Sequence, residues 1–203
     1  MKRIGIMGGT FDPIHYGHLL IAQSAMDELD LDRVVFLPTG KSPHKDADQV
    51  TAPQIRCELV QLAIADNPDF VLSRIEADNP SVNYTCKTLA TLHRQYPDTQ
   101  FFFVMGEDSL DDFHTWKNPD EICRLADILV AVRSHELGIS ISEKIQTVSR
   151  QYHGRIQALH APFFSVSSSA IRERVRNKKS IRYMLPPAVE EKIRSLQLYI
   201  SEK

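Results

Sequence analysis

Residues 4–29 constrain the fold more than any other stretch, because they read as a strand, a glycine turn and a helix. The apolar run at residues 4–7 has no polar interruption, as in a strand buried inside a sheet, and Gly8-Gly9 is predicted to end it. Apolar residues then recur at steps of three and four, at Leu19, Ala22, Met26 and Leu29. One face of the predicted helix is therefore apolar and must pack back on the sheet.

The turn between this strand and helix carries groups that suit a phosphate. Gly8 and Gly9 have no Cβ, so a polyanion can lie against their main chain, and the helix start adds N–H groups and a positive dipole end. His15 and His18 share a face, which Gly17 is expected to leave open to a bulky ligand. Alone, the glycines are an ordinary turn, and the histidines an ordinary helix start or a metal site. Together within one segment, they favour a phosphate site.

Strands and helices alternate along the rest of the chain. The β-branched run at residues 33–37 predicts a second strand, and the length of the connection suits a right-handed parallel crossover. Further strands are predicted at residues 70–75, 101–105, 127–132 and 155–159. Amphipathic spacing predicts a second helix whose apolar face holds Ile55, Leu59, Leu62 and Ala63. A last helix has core spacing at Val189, Ile193, Leu196 and Ile200.

This order of elements predicts an α/β fold with a doubly wound parallel sheet, a small helical C-terminal part and one domain over residues 1–203. The G-x-G-x-x-G fingerprint and the G-x-x-x-x-G-K-[ST] loop are both missing. Dehydrogenase and P-loop functions therefore lose weight.

Charge and cysteine content narrow the class of protein. The net charge of −2 favours neither nucleic acid nor an anionic membrane as a partner. The sequence contains no run of ~18 apolar residues, so no membrane helix is predicted. Cys57, Cys86 and Cys123 are odd in number and widely spaced, which argues against a disulfide framework or a zinc site and fits a reducing cytoplasm. The oligomeric state stays open, with a homo-oligomer as one alternative.

A second candidate anion site lies at residues 166–172. Ser167, Ser168 and Ser169 stand at a predicted helix start, and Arg172 follows one turn inside. Hydroxyls, a helix dipole and a guanidinium together suit an anion. Three serines alone could equally be a flexible linker or a cap. Paired with the histidine turn, this cluster would complete a two-sided cradle for a triphosphate.

Polar residues also follow three predicted strands, at the edge where open α/β sheets bind ligands. His44 and Lys45 follow the second strand, in a segment that could equally be a solvated loop. Gly106 and Asp108 follow the central strand, where Asp108 could hold a ribose or cap a helix. Arg133 follows the fifth strand and suits a phosphate.

Residues 8–18, with their H-x-G-H motif, resemble the signature of the nucleotidylyltransferase superfamily. Its second motif, Ser-Ser-Thr-x-Ile-Arg, is similar to residues 167–172, with Ser169 in place of Thr. Within the superfamily the chain most resembles the bacterial nicotinate-nucleotide adenylyltransferases. Their Pro-Pro-His-Lys element is similar to residues 42–45, where Ser42 departs from the pattern.

The resemblance implies transfer of AMP from ATP to the phosphate of nicotinate mononucleotide, giving deamido-NAD and pyrophosphate. Mg²⁺ would be carried by ATP, since no dedicated carboxylate cage is evident. The implied catalytic residues are His15, His18 and Arg172. The implied ATP-binding residues are Gly8, Gly9, Thr10, Phe11, Gly106, Asp108, Ser167, Ser168 and Ser169. The implied mononucleotide-binding residues are His44, Lys45, Thr85, Trp116 and Arg133.

Two of these residues have ordinary alternatives. Thr85 would meet the nicotinate carboxylate chiefly through its main chain, but it could instead be the N-cap of a helix. Trp116, the only tryptophan, would stack on the pyridine ring, but it could instead be a buried anchor.

Four other functions remain as alternatives. A phosphopantetheine adenylyltransferase shares both motifs, but Pro43-His44-Lys45, Tyr84-Thr85 and Trp116 have no role in it. A nicotinamide mononucleotide adenylyltransferase would differ only in its acceptor. Intact His15, His18 and Arg172 speak against a regulator without turnover, and the scarcity of nearby carboxylates disfavours a metal-dependent hydrolase.

Overall fold

A computed structural model describes residues 1–41, 50–132, 139–162 and 164–200. Six strands form one sheet in the order β3-β2-β1-β4-β5-β6, and every neighbouring pair is parallel. The strands are β1 (Lys2–Gly9), β2 (Arg33–Pro38), β3 (Phe70–Leu72), β4 (Thr99–Gly106), β5 (Asp127–Val132) and β6 (Ile156–His160). The helices are α1 (Tyr16–Leu29), α2 (Pro53–Ala63), α3 (Thr85–Gln95), α4 (Glu107–Asp111), α5 (Pro119–Leu125), α6 (Ile139–Gln151), α7 (Ser168–Arg176) and α8 (Pro187–Ser195).

The strand order reverses direction between β1 and β4, the two central strands. Strands β2 and β3 extend the sheet on one side of this point, and β5 and β6 extend it on the other. Loops that leave β1 and β4 therefore diverge and open a crevice at the carboxyl edge, where doubly wound sheets bind ligands. The predicted doubly wound α/β fold is confirmed.

Successive side chains of each strand point alternately into two separate hydrophobic cores, one on each face of the sheet. Met7, Phe36 and Val104 lie in the core under α1, α2, α7 and α8. Ile6 and Phe103 lie in the core under α3, α5 and α6. Because successive strand residues point to opposite faces, both faces must be covered by helices.

The structure corrects several sequence predictions about local structure. The glycine pair does not interrupt β1 but forms its last two residues, because Gly8 and Gly9 still pair with Leu37 and Pro38 of β2. Strand β3 ends at Leu72 and is shorter than predicted.

Two helix faces also differ from the prediction. Leu62 is 37% exposed, because the buried stripe of α2 runs through Arg56, Leu59, Val60 and Ala63 instead. Helix α8 ends at Ser195, so the exposed Leu196 and Ile200 lie beyond it. In the described ranges, no helix is long and apolar enough to cross a membrane.

Candidate active site

The end of β1, at Gly9, and the turn that follows it are bound to the end of β2. Thr39 donates to the Gly9 carbonyl twice, from its main-chain nitrogen at 2.9 Å and from Oγ1 at 3.3 Å. Phe11 reverses the chain with a φ of 49°, and its buried ring packs edge-on against His18 with the ring centroids 5.0 Å apart. The turn is therefore held in one conformation before α1 begins.

His15 and His18 lie against each other at the start of α1. Their rings stack with centroids 3.7 Å apart and an interplanar angle of 25°. The main-chain N–H of His15 donates to Nδ1 of His18 over 3.3 Å. Since Nδ1 of His18 acts as the acceptor, the neutral ring carries its proton on Nε2. His18 is thereby set up as a donor through Nε2.

His15 is buried, with 6% of its surface exposed. Burial lowers the pKa of His15 to about 4, so the ring is neutral at pH 7. Its buried Nδ1 has no hydrogen-bond partner among the described residues. His15 therefore adds no positive charge to the turn.

Gly17 has a different role from the one predicted. A Cβ at this position would lie 3.0 Å from two atoms of the His15 ring. The prediction that Gly17 leaves space for a ligand is therefore wrong, because the His15 ring occupies that space. A side chain here would crowd the His15 ring, which folds back over the helix start.

The second motif is hydrogen-bonded directly to the first. Ser168 Oγ donates to the Pro13 carbonyl at 2.8 Å, across 155 positions of sequence. Arg172 Nη1 donates to the Asp12 carbonyl at 2.7 Å, and Nη2 donates to Ser169 Oγ at 3.2 Å. The serine run is therefore no flexible linker, and the structure brings the two predicted anion sites together.

Ser167 is the N-cap of α7. Its Oγ accepts a hydrogen bond from the Ala170 N–H at 3.2 Å, which satisfies one of the unpaired donors of the helix start. The cap alternative is thus correct for Ser167. Ser168 and Ser169 belong to the first turn of α7.

A cleft of about 260 Å³ opens between β1, α3 and the segment after α4. Gly8, Gly9 and Thr10 lie on one wall, and Thr85 and Trp116 lie in the same cleft. The structure thus brings part of the predicted ATP site next to part of the predicted mononucleotide site. Its other lining residues include Ile6, Leu37, Thr39, Glu76, Asn83, Tyr84, Thr88, Leu89, Phe103, Ser109, Lys117 and Ile122.

Trp116 is partly buried and is held by two phenylalanines. Its ring is 5.5 Å from that of Phe113 and 6.0 Å, nearly edge-on, from that of Phe103. The indole is thus both an anchor on the core and a lining residue of the cleft. A ring held in this way is ready to stack on a flat ligand.

Charged side chains also line this cleft. Lys117 Nζ lies 4.6 Å from the centroid of the Tyr84 ring. The Glu76 carboxyl accepts a hydrogen bond from Thr88 Oγ1 at 2.7 Å. Burial raises the pKa of Glu76, and hydrogen bonds from Thr88 and Thr39 oppose the shift. Among the residues that the structure describes, Lys117 thus lines the cleft as a cation, together with Glu76, whose acidity is weakened by burial.

Two cap alternatives are excluded by the helix boundaries. The N-cap of α3 is Tyr84, and Thr85 is its first helical residue, placed among the N–H groups of the helix start. The N-cap of α4 is Gly106, and Asp108 lies within the first turn. A Cβ built on Gly106 would meet no atom within 4 Å, so the space beside it is open. Gly106 and Asp108 thus lie at the carboxyl end of β4, the strand that pairs with β1.

Sequence reasoning missed two residues that shape the site, Asp12 and Arg56. Asp12 is 5% exposed, and its carboxylate accepts from the Thr51 N–H at 3.2 Å and from Tyr199 Oη at 2.7 Å. Arg56 is 1% exposed, although it carries a charge. The available signal was an arginine on the apolar stripe of α2, in step with Leu59.

Three predicted site residues, His44, Lys45 and Arg133, lie outside the described residues, as does Ser42. Their roles stay predictions. Within the described ranges, no group of three or more His, Cys, Asp or Glu side chains is arranged to hold a metal ion.

Comparison with known proteins places the chain in a family. Residues 6–174 match the cytidylyltransferase-like family model. A protein of Moorella thermoacetica is 42% identical over 97% of this chain and 91% of its own length. One of Lachnoclostridium phytofermentans is 38% identical over 95% of this chain and 96% of its own. Both bear the name "Probable nicotinate-nucleotide adenylyltransferase".

Solved structures share the fold. The nicotinic acid mononucleotide adenylyltransferase of Plasmodium falciparum, complexed with NaAD, superposes with a TM-score of 0.80 over 98% of both chains, at 20% identity. The family model matches most of this chain, and the relatives above 30% identity are covered almost completely, so the two comparisons agree. The chain therefore belongs to the cytidylyltransferase-like family and, within it, to the family of the nicotinate-nucleotide adenylyltransferases.

Proposed function

We propose that this protein transfers AMP from ATP to nicotinate mononucleotide, releasing pyrophosphate and giving deamido-NAD. The observation that carries this proposal is the hydrogen-bonded junction between the two anion-binding segments, made by Ser168 on Pro13 and Arg172 on Asp12. A cleft with an aromatic side chain, Trp116, starts from the same glycine turn. The site thus offers a phosphate end and a flat-ring end side by side.

The reaction needs no nucleophilic side chain. The acceptor phosphate is already anionic at pH 7, so its oxygen attacks the α-phosphorus of ATP and pyrophosphate leaves with the electron pair. The enzyme must align these groups and stabilise the charge that grows on the phosphates. Groups suited to that task are His18 Nε2–H, the Arg172 guanidinium and the main chain of residues 8–11.

Neutral His15 acts on the reaction through His18. Its main-chain N–H holds His18 Nδ1, and its ring stacks on the His18 ring. This contact keeps the His18 Nε2–H in place. His15 is thus a positioning residue more than a phosphate ligand, which refines its implied catalytic role.

The nucleoside parts of both substrates have candidate contacts. Gly106, with open space beside it, and Asp108 suit the ribose of ATP. Trp116 suits the pyridine ring, and the N-terminus of α3 at Thr85 suits its carboxylate. Mg²⁺ would arrive on the ATP phosphates and neutralise charge there.

A cytoplasmic location suits the three cysteines. Cys57, Cys86 and Cys123 are all free and buried. Burial raises the pKa of Cys123 to about 11, which keeps its thiol protonated and unreactive.

The direct test compares acceptors. The purified protein is incubated with Mg-ATP and nicotinate mononucleotide, nicotinamide mononucleotide or phosphopantetheine, and both pyrophosphate and the dinucleotide product are measured. We expect nicotinate mononucleotide to give the highest kcat/KM, with deamido-NAD and pyrophosphate formed in equal amounts. Faster turnover of phosphopantetheine, or of the amide, would assign a different acceptor to the same fold.

A further inference from the structure

Arg56 is a fully buried cation whose guanidinium binds three main-chain carbonyls. Nε donates to the Thr51 carbonyl at 2.7 Å, Nη1 to that of Thr10 at 2.6 Å and Nη2 to that of Thr39 at 2.6 Å. Removing a charge from water is unfavourable unless it is well compensated, and burial lowers the pKa of Arg56 accordingly. The arginine at this position therefore makes three main-chain bonds that an apolar residue could not make.

The three carbonyls belong to three different segments of the candidate site. Thr10 follows the glycine pair of the phosphate turn, and Thr39 follows β2. Thr51 precedes α2 and donates its own N–H to Asp12, whose carbonyl accepts from Arg172. A single rigid guanidinium thus sets the distances between these segments.

The bond to Thr10 also determines where the neighbouring N–H points. In a planar trans peptide the C=O and the following N–H point in opposite directions. The Thr10 carbonyl faces Arg56, so the N–H of Phe11 faces away from it. By the same geometry, the Gly9 carbonyl faces Thr39, so the N–H of Thr10 faces away from Thr39.

Two cavities meet at Thr10 and Thr39. Arg56 and Thr51 line one of about 520 Å³, whereas Gly8, Gly9 and Trp116 line the substrate cleft. Thr10 lines both. The Thr10 carbonyl, drawn toward Arg56, therefore leaves the Phe11 N–H on the side opposite the cation.

We propose that Arg56 is a positioning residue of the transfer reaction, which orients the peptides of the glycine turn so that their N–H groups meet the ATP phosphates. The inference rests on the proposed function and adds a residue that touches neither substrate. Without the guanidinium the peptide between Thr10 and Phe11 would be free to rotate, and its N–H would no longer be held ready for the transition state.

Two variants of Arg56 and one matched control test this role. Arg56→Lys keeps the charge but lacks the planar fork, so it cannot hold three carbonyls at once. Arg56→Ala removes the group and leaves space that the neighbouring cavity makes accessible to a small cation. Leu59→Ala is the control, because Leu59 is equally buried on the same helix and makes none of these three bonds.

We expect Arg56→Lys to lower kcat by about 10²-fold, as misplacement by about 1 Å can do, while KM for nicotinate mononucleotide changes little. Titration calorimetry with Mg-ATP alone should show weakened binding, a readout that does not depend on the acceptor. Millimolar guanidinium should restore part of the kcat of Arg56→Ala in a saturable way, and methylammonium should not. Leu59→Ala should lower Tm while keeping kcat near the wild-type value.

Other results would overturn the inference. A kcat of Arg56→Lys equal to that of the wild type would do so. A second such result would be a Leu59→Ala variant that loses as much Tm as the Arg56 variants and also as much kcat. If Arg56→Ala does not fold, the Lys variant and its ATP affinity decide. Wild-type protein that binds Mg-ATP but makes no deamido-NAD would refute the proposed function instead, while weaker ATP binding by Arg56→Lys would still support the orienting role.

Discussion

Arg172 Nη1 donates a 2.7 Å hydrogen bond to the main-chain carbonyl of Asp12, 160 positions earlier in the chain. The Asp12 carboxylate is bound in turn by Thr51 and Tyr199. The phosphate turn is thus held by α7, by the segment before α2 and by the C-terminal region. This junction makes one site out of two distant motifs.

The Arg172–Asp12 bond predicts that lysine cannot replace Arg172. A lysine keeps the charge but cannot bind Asp12 and Ser169 and still meet a phosphate with a planar fork. We expect Arg172→Lys to lower kcat/KM by about 10²-fold, within the range for loss of one preorganised donor. Steady-state kinetics with saturating Mg-ATP measure this loss. The exposed Arg176 on the same helix is the control, and an equal loss in Arg176→Lys would refute the specific role.

Of the two histidines, His18 should be the one whose substitution lowers kcat more. Its Nε2–H is the donor that His15 holds in place, so His18→Ala should lower kcat by about 10²–10³-fold. Pyrophosphate release with both substrates saturating is the measurement. His153→Ala, at an exposed position, should leave the rate unchanged. Turnover of His18→Ala close to that of wild type would exclude this residue from the mechanism.

His15 predicts a loss of stability on acidification. Its pKa is about 4 in the folded protein against 6.5 in the unfolded chain, so between these values only the unfolded chain binds the proton. Stability is therefore complete above pH 6.5 and falls as pH drops toward 4, by about 3 kcal/mol from this group. Urea unfolding from pH 4 to 7 should show a steeper acid-side slope for wild type than for His15→Asn. Identical slopes would contradict the prediction.

The position of Lys117 in the cleft predicts that nicotinate mononucleotide is preferred to nicotinamide mononucleotide as the acceptor. It is the lysine that lines the cleft beside Thr85 and Trp116, and a cation there favours a carboxylate over a carboxamide. Lys117→Gln should reduce the kcat/KM ratio of nicotinate to nicotinamide mononucleotide by about 10-fold, or ~1.4 kcal/mol. Lys87 lies 5.7 Å from the same Tyr84 ring but outside the cleft lining, so Lys87→Gln is the matched control. The same change in both variants would show a general charge effect.

Removing Mg²⁺ with a chelator distinguishes a metal ion that is carried by ATP from one that is bound by the protein. No group of three or more suitable side chains occurs in the described part of the chain, so removing Mg²⁺ should abolish turnover without changing the Tm of the nucleotide-free protein. Thermal unfolding with and without EDTA measures this. A Tm lowered by EDTA would point to an ion bound by the protein itself.

Local pattern was sufficient for most of the architecture. Alternating apolar runs and amphipathic segments predicted the parallel sheet, and the H-x-G-H and serine-arginine motifs predicted the two anion sites. These signals are readable because burial of a strand or a helix face follows from the spacing of neighbours in the chain. The predicted face of α2 was wrong because a charged residue took a core position: Arg56 is buried, whereas Leu62 is exposed. The predicted face of α8 was wrong because the helix ends at Ser195.

Several properties of the site depend on contacts between distant segments. Gly17 was predicted to admit a ligand but instead admits the His15 ring. The neutrality of His15 comes from its burial, which no motif encodes. Asp12 and Tyr199 meet across 187 positions, a pairing that spacing cannot suggest.

The sequence by itself determined the order of strands and helices, the residue types at both anion-binding segments and the family to which the chain is similar. Only the tertiary structure decided that Arg56 binds Thr10, Thr39 and Thr51 and that Arg172 reaches Asp12. The physical reason is that periodicity is a property of neighbouring residues. Burial of a charge and the orientation of a peptide depend on which remote segments pack together, and the folded chain alone specifies them.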